Sequence, residues 1–255
     1  MLGAVAMKHR RTAILSIVTC VIATYVPHGA RAGPPFLTDD PEPTETGQWE
    51  IYAPFVEVDG HSNDFGGATG VELNYGAARD VQITVGLPVD FEHGELGWRW
   101  GAGDLRLSAK YRFLNVEAAG IQIAIFPGIT LPTGTNGMGA GRVTGFLPVW
   151  LQKDDGPWSV FGGGGYAINP GPGNRDFWSG GFAVTRKFGE RLVLGVEAKR
   201  QGADTDDGHA STSLGLGGIY QLEAPFRLLA SGGPTFEDKS GTTGYHAYLA
   251  VGLAF

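Results

Sequence analysis

The stretch Tyr245-His-Ala-Tyr-Leu-Ala-Val-Gly-Leu-Ala-Phe255 decides how the rest of the chain is read. Tyr245, Ala247, Leu249, Val251, Leu253 and Phe255 alternate with His246, Tyr248, Ala250, Gly252 and Ala254. Side chains of a strand point alternately to its two faces, so the first set makes one apolar face. The stretch is as long as the ~9–11 residues with which a tilted strand crosses hydrocarbon. One such strand proves little unless the pattern recurs.

It does recur. Val81, Ile83, Val85, Leu87, Val89 and Phe91 share a face against Gln82, Thr84, Gly86, Pro88 and Asp90. Leu105, Leu107, Ala109, Tyr111 and Phe113 do the same against Arg106, Ser108, Lys110 and Arg112. Extending the reading gives about twelve strands: 48–59, 65–75, 81–91, 104–113, 121–131, 143–153, 158–168, 177–187, 192–199, 212–222, 226–235 and 245–255. In 48–59 and 143–153 the two faces are hard to tell apart, and Pro127 and Pro148 interrupt strands where a missing N–H breaks the ladder.

Connection lengths add an independent signal. They are short at 76–80, 114–120, 154–157, 188–191 and 223–225, and mostly longer at 92–103, 132–142, 169–176, 200–211 and 236–244. Short turns on one side and long loops on the other fit an antiparallel up-and-down transmembrane β-barrel, closed by an even strand count so that no edge meets lipid. Aromatics fall near the strand ends, with Trp49, Tyr75, Phe113, Trp158, Phe188, Tyr220, Phe226 and Phe255 at the inner rim. Phe91, Tyr166, Phe177 and Tyr245 are expected at the outer rim. A soluble β-sandwich is the alternative, since its core faces also alternate.

The N-terminus points to export. Lys8, Arg10 and Arg11 precede an apolar run from Ala13 to Val26, and Ala30-Arg31-Ala32 suits a cleavage site, so residues 1–32 read as a signal peptide. A membrane anchor is the alternative, but the run is short of the ~20 residues of a spanning helix. Cys20 is the sole cysteine and lies in the leader, which leaves no disulfide or thiolate metal site after cleavage. Removing four basic residues from 19 leaves 15 against 26 acids, a net charge of −11, which argues against nucleic acid as a partner. Residues 33–47, with four prolines and four acids, read as a periplasmic or lumenal segment, an extended periplasmic tail being the default; 48–255 form the barrel.

The terminal strand resembles the closing strand of bacterial outer-membrane barrels, which implies that Phe255 is read by the barrel assembly machinery. The opening Gly33-Pro-Pro-Phe-Leu-Thr-Asp-Asp-Pro-Glu-Pro-Thr-Glu-Thr-Gly-Gln-Trp-Glu-Ile-Tyr52 resembles that of the MetA-pathway of phenol degradation family of outer-membrane transporters. Gly101-Ala-Gly-Asp-Leu-Arg-Leu-Ser-Ala-Lys-Tyr-Arg-Phe113, Leu131-Pro-Thr-Gly134, Pro148-Val-Trp-Leu-Gln-Lys-Asp-Asp-Gly-Pro-Trp158 and the run Gly162–Gly165 are similar to its internal motifs. The resemblance implies an outer-membrane barrel that passes small, apolar or aromatic compounds, with no catalytic residues.

The candidate site is the set of polar side chains facing inward, because an Arg or Lys facing mid-bilayer costs about 2–4 kcal/mol. Glu72, Asn74, Gln82, Thr84, Arg106, Lys110 and Arg112 lie on three neighbouring strands, and Glu197, Lys199, Arg227, His246 and Tyr248 face inward elsewhere. They either grade permeants by charge or pair off internally. The expected function is passive uptake of small solutes, with outer-membrane lipid, the assembly machinery and a small permeant as partners. A barrel enzyme acting on lipid and a closed structural barrel are the alternatives.

Three further motifs are weighed. His209-Ala-Ser211 has the spacing of barrel lipid hydrolases but lies beside a loop, without an orienting Asn in the next strand. Asp204, Asp206 and Asp207 lack the glycine and distal Glu of an EF-hand loop. Phe161-Gly-Gly-Gly-Gly-Tyr166 precedes no helix, so it is no phosphate loop. No metal and no cofactor are expected.

Overall fold

The computed structural model describes residues 35–61, 64–95, 97–238 and 241–255. Its strands, in chain order, are β1 Trp49–His61, β2 Asp64–Ala78, β3 Val81–Gly94, β4 Gly97–Ala102, β5 Leu105–Val116, β6 Ile121–Ile125 and β7 Gly128–Leu131. They continue with β8 Thr144–Asp155, β9 Trp158–Ile168, β10 Phe177–Phe188, β11 Leu192–Gln201, β12 Ser211–Gln221, β13 Phe226–Glu237 and β14 Thr243–Ala254. Each pairs antiparallel with its neighbours, and β1 closes on β14 from Glu50↔Ala254 to Gly60↔Tyr245. β4 and β5 are halves of one stave, as are β6 and β7, since β3 carries the first two and β8 the second two. The result is a closed twelve-stave barrel. The expected leader lies outside the described residues.

Polarity is inverted relative to a soluble protein. Trp178, Leu216 and Phe182 are 70%, 68% and 56% exposed, while Gln152 and Asn74 are 1% and 2% exposed. Apolar outward rows such as Ile83-Leu87-Val89 and Leu147-Val149-Leu151 alternate with buried Gln82-Thr84 and Pro148-Trp150-Gln152. Only a surrounding apolar solvent makes that arrangement favourable. Arg186 is an outward charge placed at the rim, its guanidinium 5.2 Å from the Trp158 ring centroid and 4.9 Å from that of Phe188. There it reaches headgroups rather than acyl chains.

A bulge, a proline break and an apolar inward face each explain a place where the alternation is hard to read. In β1 the register shifts between Tyr52 and Phe55, so that both face inward although three positions apart. Pro127 separates β6 from β7, and its carbonyl still accepts the Ala109 N–H at 3.0 Å. β8 alternates regularly, but its inward face carries Pro148 and Trp150 and reads as apolar as the outward one.

Two expectations are corrected. Residues 92–103 are not a loop: β3 and β4 continue as a hairpin whose Trp98 and Trp100 rings cover Phe91, at centroid distances of 6.2 and 5.1 Å. Phe177 does not belong to the outer girdle. It pairs with Ala167 on the inward face of β10 and lines the interior, while its neighbour Trp178 takes the outward position. Adjacent aromatics hide which of the two faces out.

Turns at one end are tight, with Arg79-Asp80 joining β2 to β3 and Gly156-Pro157 joining β8 to β9. Asp80 adopts φ 61°, a left-handed conformation that Asp tolerates better than most residues. At the other end, β4 leaves one edge without a strand partner, and segment 132–143 covers it. Thr135 N–H donates to the Ala102 carbonyl at 2.9 Å. Asp104 fixes this segment by accepting from Gly134 N–H at 2.8 Å and Ala140 N–H at 2.7 Å.

Candidate functional site in the barrel interior

The interior is occupied by the chain's own residues 35–47. Pro35, Thr38, Asp40 and Pro41 are essentially fully buried, and the segment touches inward side chains from opposite walls. It enters at the short-turn end, where Thr46 bridges Gly76 and Gly47 N–H donates to the Gly76 carbonyl at 2.7 Å. Gly76 has no side chain, and a Cβ there would lie 1.9 Å from the Glu45 carbonyl oxygen. Thr44 N–H donates to Gln82 Oε1 at 2.8 Å, and Leu37 and Thr38 N–H donate to the Glu197 carboxylate at 3.0 and 3.1 Å. Ser231 Oγ donates to the Pro35 carbonyl. A proline-rich segment has few N–H groups to satisfy, and those three find wall acceptors.

Each basic residue expected on the fourth stave meets an acid. Lys110 Nζ lies 3.0 Å from Asp39 Oδ1 and 3.6 Å from Asp40 Oδ1, and 4.7 Å from the Phe126 ring centroid. Arg106 pairs with Glu57 at 2.8 Å. Arg112 pairs with Asp80 at 2.6 Å and donates to Gln122 Oε1 at 2.6 Å. Burial pushes the Asp40 carboxyl well above the usual carboxylate range, although Lys110 pulls it down; Asp39 and Glu42 push it the same way as burial. Asp39 is the nearer partner of Lys110.

The remaining expected residues fall into three groups. Asn74, Gln82 and Thr84 form one network: Gln82 Nε2 donates to Asn74 Oδ1 at 2.9 Å, Thr84 Oγ1 to Asn74 Oδ1 at 2.6 Å, and Asn74 Nδ2 to Glu72 Oε1 at 3.0 Å. Arg227 reaches Glu50 and donates to Tyr52 Oη at 2.7 Å. Beside it, Tyr52, Phe55, Ala68, Leu229 and Ala250 form an internal apolar cluster against which Tyr248 packs. Lys199 and His246 line open space instead.

Among the described residues that space includes two cavities, which share Leu37 and Arg106 in their walls. The larger, about 630 Å³, is lined by Phe126, Phe146, Trp150, Phe177 and Lys199, and by Asn169 and Asp204 from loops at the long-loop end. The smaller, about 500 Å³, is lined by Glu57, Asp59, Glu72, Asp90, His246 and Tyr248. Sequence reasoning missed Glu57, Asp39, Asp40 and Trp150. The acids were legible as charges, but their partners lie far away in sequence.

The other motifs acquire structural roles. Gly163 and Gly165 allow close approach of β8, since a Cβ at either would lie 2.0 or 2.3 Å from a β8 carbonyl oxygen. Ser211 pairs with Gln201 and Glu237 in the ladder. Asp204 accepts at its main-chain carbonyl from Arg175 N–H, at 2.8 Å, and from Asn169 Nδ2, at 2.9 Å.

The fold is shared with solved outer-membrane proteins. The COG4313 outer membrane channel from Pseudomonas putida F1 aligns with a TM-score of 0.67 over 91% of this chain and 100% of that one, at 15% identity. The KdgM porin aligns with a TM-score of 0.56 over 79% and 98%, at 8% identity. The translocator domain of the autotransporter NalP from Neisseria meningitidis gives 0.53 over 82% and 89%, at 14% identity. No curated protein matches the chain. A barrel of this kind resides in the bacterial outer membrane. With residues 47–251 matched by its model, the chain belongs to the family described as "Putative MetA-pathway of phenol degradation".

Proposed function

We propose that the protein is a passive outer-membrane channel for small solutes with apolar or aromatic bodies, and not an enzyme. The observation that carries this reading is the pair of cavities, lined by polar and aromatic side chains, inside a wall whose outer face is apolar. The Pseudomonas putida protein of the same fold is named a channel, which agrees with it. Gln82, Lys110 and Glu197 hold the inner segment 35–47, with Asn74 and Thr84 bracing Gln82, while Lys199, Arg106, His246, Tyr248 and Glu72 border the space a solute enters. Passage to the short-turn end requires the inner segment to shift, because it fills that half of the interior.

A closed structural barrel is the second reading, favoured by that same filling. Planar-bilayer recordings on the purified, full-length protein separate the two. The channel reading expects discrete conductance steps, together with larger steps when Lys110→Met loosens the inner segment. Silence from both proteins, each verified as folded, would leave the structural barrel.

A further inference from the structure

We propose that the larger cavity binds a small organic carboxylate with a ring-sized apolar body, through the Lys199 ammonium and the Trp150 indole N–H. Entry of such a ligand rests on the channel reading, whereas the site itself is read by binding.

Among the described residues, no carboxylate lies within ion-pair distance of Lys199, whose side chain borders the cavity. Its nearest acids are already engaged: Glu197 accepts from the Leu37 and Thr38 amides, and Glu57 holds Arg106. Of the other charged groups lining the cavity, Asp39 faces Lys110 at 3.0 Å, and Asp204 stands on the loop at the mouth. A half-buried cation whose neighbouring acids are held by other donors gains from an anionic guest that pairs with it directly.

Trp150 supplies the second observation. It is 5% exposed, and its Nε1 has no hydrogen-bond partner among the described residues. A buried indole N–H left unpaired has lost its hydrogen bond to water, which an acceptor oxygen in the cavity restores.

The strand register sets the two groups on the wall of one cavity, with the Thr38 hydroxyl of the inner segment seated over Gly181 between them. Trp150 pairs with Gly163, Gly163 with Gly181, and Gly181 with Lys199. Trp150 and Lys199 thus stand three strands apart, about 14 Å along the wall at ~4.8 Å per strand, with two glycines between them. The indole leans over Gly163, where a Cβ would meet Trp150 Cε3 at 3.1 Å. Phe146 and Phe177, both in register with Ala167 and each four residues nearer the mouth than the Trp150–Gly181 row, give the apolar body its walls.

Calorimetric titration of the full-length protein in detergent tests this with benzoate, benzyl alcohol and benzylamine as probes. Benzoate is expected to bind at least ten-fold more tightly than either analogue. Lys199→Met should weaken benzoate at least ten-fold, and Trp150→Phe several-fold, with neither changing the heat-modifiable gel shift of the folded barrel. Equal binding of the three probes, no binding of benzoate, or indifference to both substitutions would overturn the proposal. Should Lys199→Met fail to fold, Trp150→Phe and the probe ranking still decide it. Conductance of the unmodified protein judges the channel reading separately, so each can fail alone.

Discussion

Lys110 and Asp39 meet at 3.0 Å across a separation of 71 residues, joining the wall of the barrel to the segment threaded through it. The ammonium is 4% exposed and the neighbouring Asp40 is fully buried. Removing one partner of a buried pair leaves the other uncompensated, which costs about 3–5 kcal/mol. Lys110→Met is therefore expected to undock residues 35–47 while leaving the barrel's own ladder intact. Limited proteolysis with N-terminal sequencing should show cleavage within 35–47 in the variant and protection in the parent.

Asp40, beside that pair, sets a pH dependence. The docked Asp40 carboxyl binds its proton more tightly than a free one, because burial raises it. A group raised in the docked state contributes stability that is complete below its free value of about 4 and is lost as pH rises through the docked value. Protection of residues 35–47 from protease should thus improve on mild acidification from neutral pH. Asp40→Asn, which mimics the protonated form, should flatten the dependence.

Phe36 is held by the absence of side chains opposite it. A Cβ on Gly195 would lie 3.0 Å from Phe36 Cζ, and one on Gly217 3.0 Å from Phe36 Cε1; the ring also meets Phe161 edge-on at 6.0 Å. Phe36→Ala should weaken docking of the inner segment, by less than the ~3–5 kcal/mol of a fully buried Phe because the ring is half-buried. Hydrogen exchange at Leu37 and Thr38 reads this directly, since their amides are tied to Glu197.

Asp104 joins two stretches that lie apart in sequence, Gly101–Asp104 and Leu131–Gly134. Its carboxylate ties both Gly134 and Ala140 to the start of β5. Hydrogen bonds to a charged group contribute about 1.5–3 kcal/mol each. Asp104→Ala should therefore release segment 132–143 from the free edge of β4 and raise its exchange rates, with little change in the thermal midpoint of the barrel.

The outward face predicts its own test. Leu216, 68% exposed at the middle of β12, should destabilise the barrel by about 2–4 kcal/mol when changed to Arg. Leu222, in the turn beyond β12, should tolerate the same change at about 0–1 kcal/mol. Equal costs in denaturant titrations from lipid vesicles would contradict the assigned depths.

Period-two alternation in Val81–Phe91, Leu105–Phe113 and Tyr245–Phe255 sufficed for the barrel, because lipid enforces one apolar face at every stave and the backbone must pair all the way round. It failed where that local rule is broken: at the Tyr52–Phe55 bulge, at Trp150, which is a large apolar side chain facing inward, and at the adjacent aromatics Phe177 and Trp178. Inward residues such as Lys110, Gln82 and Glu197 could be named from parity alone. Which of them hold residues 35–47, and which border open space, depends on contacts between positions as far apart as Thr38 and Glu197, 159 residues. A strand's solvent is written into its own side chains, one position after another; the partner of a buried charge is fixed only when the wall closes and brings remote segments together.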